Sequence, residues 1–341
     1  MTATTTAPAE RQVRRAALAL QGPYRAVLRQ HRTALWILFG LFVLGAAALA
    51  ADRLWVSHAA DVFAATDCVI AKTTPGCGGS VRGYLDAELQ FGRNLDYAGM
   101  AMLGLPVLVG AFVAGPIVAR DLESGAYKWA WTQSVTPARW LAARLAVVAA
   151  LVVSGVVLFT AVQRWAWTTG PAIEYGRAAW YERAMYGSLG TVGIGYALLG
   201  LAIGALTGLV TRHVLRAMAA ATGFTIIAVV LLPLARPHLW ATETITWAQT
   251  SPQATPNFGL LVERGMLTAD GKRLPESLCL GRDPAGDTEA CYTKHQVTGW
   301  YSDFHPSSHF WPLQLVETGI LLVLAAAVTY AAFRLLRRRV A

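Results

Sequence analysis

The residue type whose placement says most about chemistry in this chain is cysteine. There are four in 341 residues. Cys68 lies near Cys77, and Cys279 lies near Cys291. No CxxC unit is present, which disfavours zinc. An even count fits disulfides formed in an oxidising compartment. The local pairs, Cys68–Cys77 and Cys279–Cys291, are favoured because short loops close at low entropic cost. Other strings fall short of a reactive site. The stretch from Gly265 to Gly271-Lys272-Arg273 has one residue too many between its glycines and no Ser/Thr after the lysine. It reads as a turn, not a phosphate loop. His305 and His309 could share a helix face, but Pro306 and two serines separate them and no third ligand is evident. No Ser/His/Asp or Cys/His constellation stands in or near the apolar runs. One polar stretch remains, residues 120–140, RDLESGAYKWAWTQSVTPARW. It is charged and holds Trp129, Trp131 and Trp140. Asp121, Glu123 and Ser124 read as the start of a helix, where acids and caps are favoured. Thr136-Pro137 reads as a second start. On spacing alone this is an amphipathic linker.

The elements that must position these residues are membrane spans. The chain is 55% hydrophobic and 14% charged, with mean hydropathy +0.42, against about 25% charged residues in a soluble protein. The apolar residues gather in six runs, 34–51, 97–119, 141–162, 184–210, 216–235 and 313–333. Each is long enough to cross lipid and, with backbone groups paired internally, reads as a helix. The expected fold is an all-α integral membrane protein with disulfide-bearing extracellular loops at 52–96, 163–183 and 236–312. The first loop should be partly helical, and the last should hold a small subdomain clipped by its disulfide. The long arginine-rich lead before the first run argues against a cleaved signal peptide.

Charge sets the orientation. Six spans put residues 1–33, 120–140, 211–215 and the tail after Phe333 on one side. With Arg144 and Arg216 that side carries sixteen Lys/Arg against three acids; the other carries thirteen against seventeen. Lys/Arg in short loops mark the cytoplasmic side, so both termini are expected inside. The net charge of +9 thus follows the membrane and does not imply nucleic-acid binding. Residues 1–33 divide into a Thr/Ala/Pro-rich disordered start and a basic segment. In the latter, Arg25, Arg29 and Arg32 recur at helical spacing, as in an amphipathic helix on the membrane surface. Residues 34–341 form the spanning domain.

Two spans carry packing signals. Gly200, Gly204 and Gly208 make a four-residue stripe of the kind that lets helices approach closely in lipid. Packing within one chain is the simpler use of it. Pro106 and Gly115-Pro116 should kink the second span. No charge sits near a span midpoint; Asp96 and Glu317 mark outer ends, Arg144 and Arg216 inner ends. A proton- or sodium-driven carrier generally needs an ionisable group inside the membrane.

The stretch ARDLESGAYKWAWTQSVTPARWLAARL resembles the segment between spans two and three of type-2 ABC exporter permeases. There a charged "RE-x-E-x-GT" precedes "L-x-x-P-[VS]-[ST]" and a later lysine. The matching positions are Arg120, Asp121, Glu123, Gly125, Ala126, Val135, Thr136 and Arg144. Asp121 stands for the usual Glu and Ala126 for the usual Thr. HPSSHFWPLQLVETGILL, residues 305–322, is similar to the approach to the last span in a branch common in GC-rich Gram-positive bacteria. The resemblance implies a multi-pass permease of the bacterial plasma membrane with no cofactor of its own. A separate cytoplasmic ATPase would hold ATP and Mg²⁺. Residues 120–140 would be the coupling segment, with Arg120, Asp121, Glu123, Ser124, Gly125 and Tyr127 at the contact. A second permease chain, identical or different, and membrane lipid complete the expected partners. The uncharged spans suit export of a hydrophobic or amphipathic cargo. The competing reading is a membrane sensor or assembly scaffold whose last outer loop binds a ligand or protein.

Overall fold

The computed structural model describes residues 22–30, 32–71, 74–128, 136–169, 179–248, 259–279 and 288–340. Helix α1 (Gly22–Gln30) leads into α2 (Arg32–Ala64). Next come α3 (Gly78–Leu108), a π-helical stretch (Val109–Ala114) and α4 (Gly115–Glu123), which form one continuous rod. Then follow α5 (Pro137–Thr169), the short α6 (Arg183–Ser188), α7 (Val192–Thr211) and α8 (Val214–Leu231), which tightens into a 3-10 turn (Leu232–His238). The last helix is α10 (Phe310–Val340), and α9 (Thr288–Lys294) lies in the segment before it. Six of these rods are long and apolar enough to cross a membrane. The protein is therefore read as a multi-pass membrane protein.

Several helices outrun their apolar cores. α2 has 33 residues, or about 50 Å at ~1.5 Å per residue, against a hydrocarbon core of about 30 Å. Together α2 and α3 absorb most of the expected loop 52–96, leaving a short turn closed by the Cys68–Cys77 disulfide. Polar and aromatic contacts hold these extensions together. Asn94 donates to Asp52 at 3.1 Å, and Phe63 stacks on Tyr84 at 4.7 Å. Lipid alone does not set helix length here, because paired polar side chains carry the helix onward.

α7 is the central rod, with 78% of its most apolar window buried. Its glycine stripe explains how. A Cβ at Gly200 would lie 2.3 Å from the Pro106 carbonyl oxygen, one at Gly204 2.2 Å from that of Gly110, and one at Gly208 2.9 Å from that of Gly115. Span four thus touches span two backbone to backbone, inside one chain. The partner surface is the π-helical stretch. Pro106 and Pro116 remove two N–H donors from the ladder, and the helix widens between them where a kink is expected. Span one meets span three by a similar device: Phe42 lies over Gly155, whose Cβ would fall 2.2 Å from the ring.

The expectation of an all-α fold is corrected at one end. There β1 (Glu243–Ala248), β2 (Leu260–Thr268), β3 (Arg273–Pro275) and β4 (Val297–His305) form an antiparallel sheet in the order β1-β4-β2-β3. Trp300 of the central strand faces Trp247 and Met266 across the two ladders. Buried Met266, Val297 and Trp300 form a small core with Cys279, closed by the Cys279–Cys291 disulfide. The physical reason lies in β-branched and aromatic residues at alternate positions, as in Glu243–Ala248 (ETITWA), which suit a half-buried pleated surface. The string near Gly271 is the β2–β3 turn: Gly271 has φ +77 and donates to the Thr268 carbonyl at 3.0 Å.

Candidate functional site

The polar stretch begins at the end of α4, not at a helix start as the sequence reading has it. Acids at a helix C-terminus oppose the macrodipole, so each needs another partner, and each has one. Asp121 is buried and pairs with the equally buried guanidinium of Arg144 in α5. That guanidinium also lies 4.3 Å from the centre of the Trp140 ring. The Glu123 carboxylate accepts the backbone N–H of Val214 at 2.9 Å and approaches His213 Nδ1 at 3.5 Å. Val214 is the first residue of α8, so an acid of span two caps the N-terminus of span five, where anions are favoured.

The chain then reverses. Ser124 donates its N–H to the Arg120 carbonyl at 3.0 Å. Gly125 takes φ +73, the left-handed conformation that ends helices cheaply only in glycine. Residues 126–128 turn helical again, with Lys128 N–H donating to the Gly125 carbonyl at 3.0 Å. On the far side of the segment, Thr136 Oγ1 accepts the Arg139 N–H at 3.3 Å, and Pro137 opens α5. Beneath this surface Val118, Trp140, Leu141, Leu209 and Leu336 form a separate apolar cluster, with Leu122 and Tyr127 packed on it. Arg339, near the end of α10, donates to the Leu209 carbonyl at the end of α7, at 2.5 Å. Spans two to six therefore meet around this one surface.

Of the six candidate contact residues, Arg120, Glu123 and Ser124 are exposed, Gly125 and Tyr127 are half-buried, and Asp121 is buried. Asp121 consequently faces the bundle and holds the segment in place. Trp129, Trp131 and Val135 lie outside the described residues, as does the start of the chain through residue 21.

Sequence reasoning missed a second polar cluster, at the sheet end. Arg236 donates through Nε to Glu317 Oε2 at 2.7 Å and through Nη2 to Oε1 at 3.0 Å. Tyr196 donates to the same Oε1 at 3.1 Å, and Arg236 lies over the Tyr186 ring at 3.7 Å. One turn earlier, Gln314 accepts the Val192 N–H at 3.0 Å and donates to the Tyr186 carbonyl at 2.7 Å. Thr191 and Thr318 share a hydrogen bond of 2.8 Å. The available signal was the spacing of Gln314, Glu317 and Thr318, which puts three polar side chains on one face of an apolar helix.

Each cluster is built around a buried ion pair, Asp121–Arg144 and Arg236–Glu317, that ties helices distant in sequence. In the sheet, burial and the hydrogen bond to Glu263 push the Tyr301 phenol up to about 12. The Thr268 hydroxyl, donating to Asp270, holds that exposed carboxyl below its usual range. Among the described residues, no three His, Cys, Asp or Glu side chains converge where a metal ion could bind.

Comparison with curated proteins and with solved structures finds no match. A family described as ABC-2 membrane transporter related matches residues 39–236. The matched stretch runs from the first turns of α2 through all of α8, ends before the sheet, and includes Asp121, Glu123 and their partners Arg144 and Val214. Since it spans more than half of the sequence, the chain belongs to the ABC-2 membrane transporter related family.

Proposed function

We propose that this chain is the permease subunit of an ATP-binding-cassette exporter and that residues 120–140 receive the stroke of a separate cytoplasmic ATPase. Permeases of this family normally work with such an ATPase. The observation that carries the reading is the wiring of Asp121 and Glu123. One acid joins the segment to span three and the other to span five. A push on the turn at Gly125 would tilt three spans at once. Arg120, Ser124 and Lys128 present the solvent-facing contact, and Tyr127 seats the turn on the apolar cluster.

In this reading the basic end is cytoplasmic and the disulfide-bearing sheet is extracellular, in keeping with the Lys/Arg balance. ATP and Mg²⁺ belong to the partner. A second permease chain completes the path, and the cargo is hydrophobic or amphipathic. The test is affinity purification of the tagged chain from its host membrane, followed by mass spectrometry and ATPase assay of the complex. Co-purification of an ABC ATPase whose hydrolysis falls in Glu123→Arg and Gly125→Trp supports coupling. Unchanged binding and hydrolysis in both variants overturn it. The folded sheet with its own core favours one other reading, a sensor or scaffold. That reading requires a ligand or protein that binds the full chain and is lost when Cys279 and Cys291 become serine.

A further inference from the structure

At the basic end, an open crevice of about 450 Å³ lies between α1, α2 and α5. Leu28, Trp36, Phe39 and Leu151 form its apolar walls, and Arg29 and Arg32 also line it. Along α2 the two kinds of residue are separated by depth, while Leu28 stands beside Arg29 on α1. Arg29 and Arg32 precede the first span, which begins at Leu35. Phe39 lies seven residues beyond Arg32 on the same helix, about 10 Å deeper by the helical rise. The crevice therefore has a cationic mouth at the membrane surface and an apolar channel running into the bilayer.

Its walls are preformed. Val27 is buried, and α1 lies against α5, so the short helix is docked independently of any lipid. Trp36 is nevertheless 66% exposed, so its ring forms a wall that the protein leaves uncovered. Among the described residues neither Arg29 nor Arg32 has a hydrogen-bond or ion-pair partner, and no carboxylate lines the crevice. Guanidinium groups of this kind pair with phosphate through two parallel N–H donors.

We propose that this crevice binds one anionic phospholipid, its phosphodiester held by Arg29 and Arg32 and an acyl chain laid along Trp36, Phe39 and Leu151. The apolar channel below the arginines selects a lipid over a free phosphate. The uncompensated positive charge selects an anionic headgroup over a zwitterionic one. The site is independent of what the permease carries.

The experiment is native mass spectrometry of the full chain released from vesicles of phosphatidylglycerol and phosphatidylcholine in equal parts. Wild type should retain one phosphatidylglycerol, enriched roughly thirtyfold over phosphatidylcholine, the order expected of two arginines at a membrane surface. The Arg29→Ala/Arg32→Ala pair should abolish the enrichment, while Arg334→Ala/Arg338→Ala, equally basic but outside the crevice, should keep it. Leu151→Trp, which fills the channel and leaves both arginines, should also lose the lipid. Arg29→Lys/Arg32→Lys should restore part of the enrichment and shows that loss in the alanine pair is not misfolding. Equal retention of both lipids, retention in Leu151→Trp, or displacement by soluble glycerophosphate at millimolar level would each overturn the proposal.

Discussion

Asp121 and Arg144 stand 23 residues apart in sequence and form a buried ion pair, with Arg144 also laid over Trp140. The pair closes the polar segment on itself: one partner stands just before the turn at Gly125, the other about two turns into α5. Whatever grips the segment grips a loop whose two ends are tied.

Removing one partner leaves a buried charge uncompensated, at a cost of about 3–5 kcal/mol. Asp121→Asn and Arg144→Gln should each lower the melting temperature of detergent-purified protein by several degrees. The double variant Asp121→Leu/Arg144→Met should recover most of the loss, because apolar replacement of a buried pair is often neutral. If the double variant melts below both singles, the pair is not what holds the segment.

Glu123 acts on span five through one backbone N–H. Glu123→Ala should cost about 0.5–2 kcal/mol, the range for a lost N-cap, and Glu123→Gln less, since its amide oxygen can still accept. Hydrogen exchange should rise at Val214 and the following turn. Exchange unchanged there would refute the cap.

The glycine stripe ranks its own variants. Cβ atoms at Gly204 and Gly200 would meet backbone at 2.2 and 2.3 Å, whereas at Gly208 the nearest backbone atom is at 2.9 Å. Backbone cannot yield as a side chain does, and overpacking costs about 1–3 kcal/mol or more. Alanine at 204 or 200 should therefore reduce folded yield more than alanine at 208. Thermal melts showing the reverse order would place the contact elsewhere.

Opening the Cys279–Cys291 bridge, which spans 12 residues, should destabilise the sheet by about 3 kcal/mol on the loop-entropy estimate. The six spans should be untouched. Limited proteolysis of Cys279→Ser/Cys291→Ser should cut between residues 240 and 305 and spare the six spans. Cleavage spreading into α7 would mean that the sheet supports the bundle.

How much of this was legible depends on the kind of force. Hydropathy marks all six spans, because lipid imposes length and composition together. The local disulfides follow from loop closure. Local rules put Asp121, Glu123 and Ser124 at a helix start, whereas they stand at a helix end, because acids there follow the dipole rule only when they have no distant partner. Arg144 and Val214 supply those partners, at separations that no local pattern encodes. The sheet was hidden for a similar reason. Gly265 and Gly299 interrupt its two longest strands, and the alternation gains meaning only when Trp247, Met266 and Trp300 meet. Glu317 read as a charge at a span end, since nothing near it in sequence announces Arg236.

The contact between α7 and the π-helical stretch has a mechanical corollary. Two helices separated by side chains can slip, because rotamers act as a lubricant. Between spans two and four that layer is thin: span-two carbonyl oxygens leave no room for a Cβ at Gly200, Gly204 or Gly208. They form a welded strut, and span five is fastened to its foot by Glu123. Under the proposed coupling, a displacement entering at Gly125 should be passed along that strut, since close-packed interiors transmit strain. Where spans one and three meet, the neighbour of Gly155 is instead a side chain, the Phe42 ring, which can yield as backbone cannot.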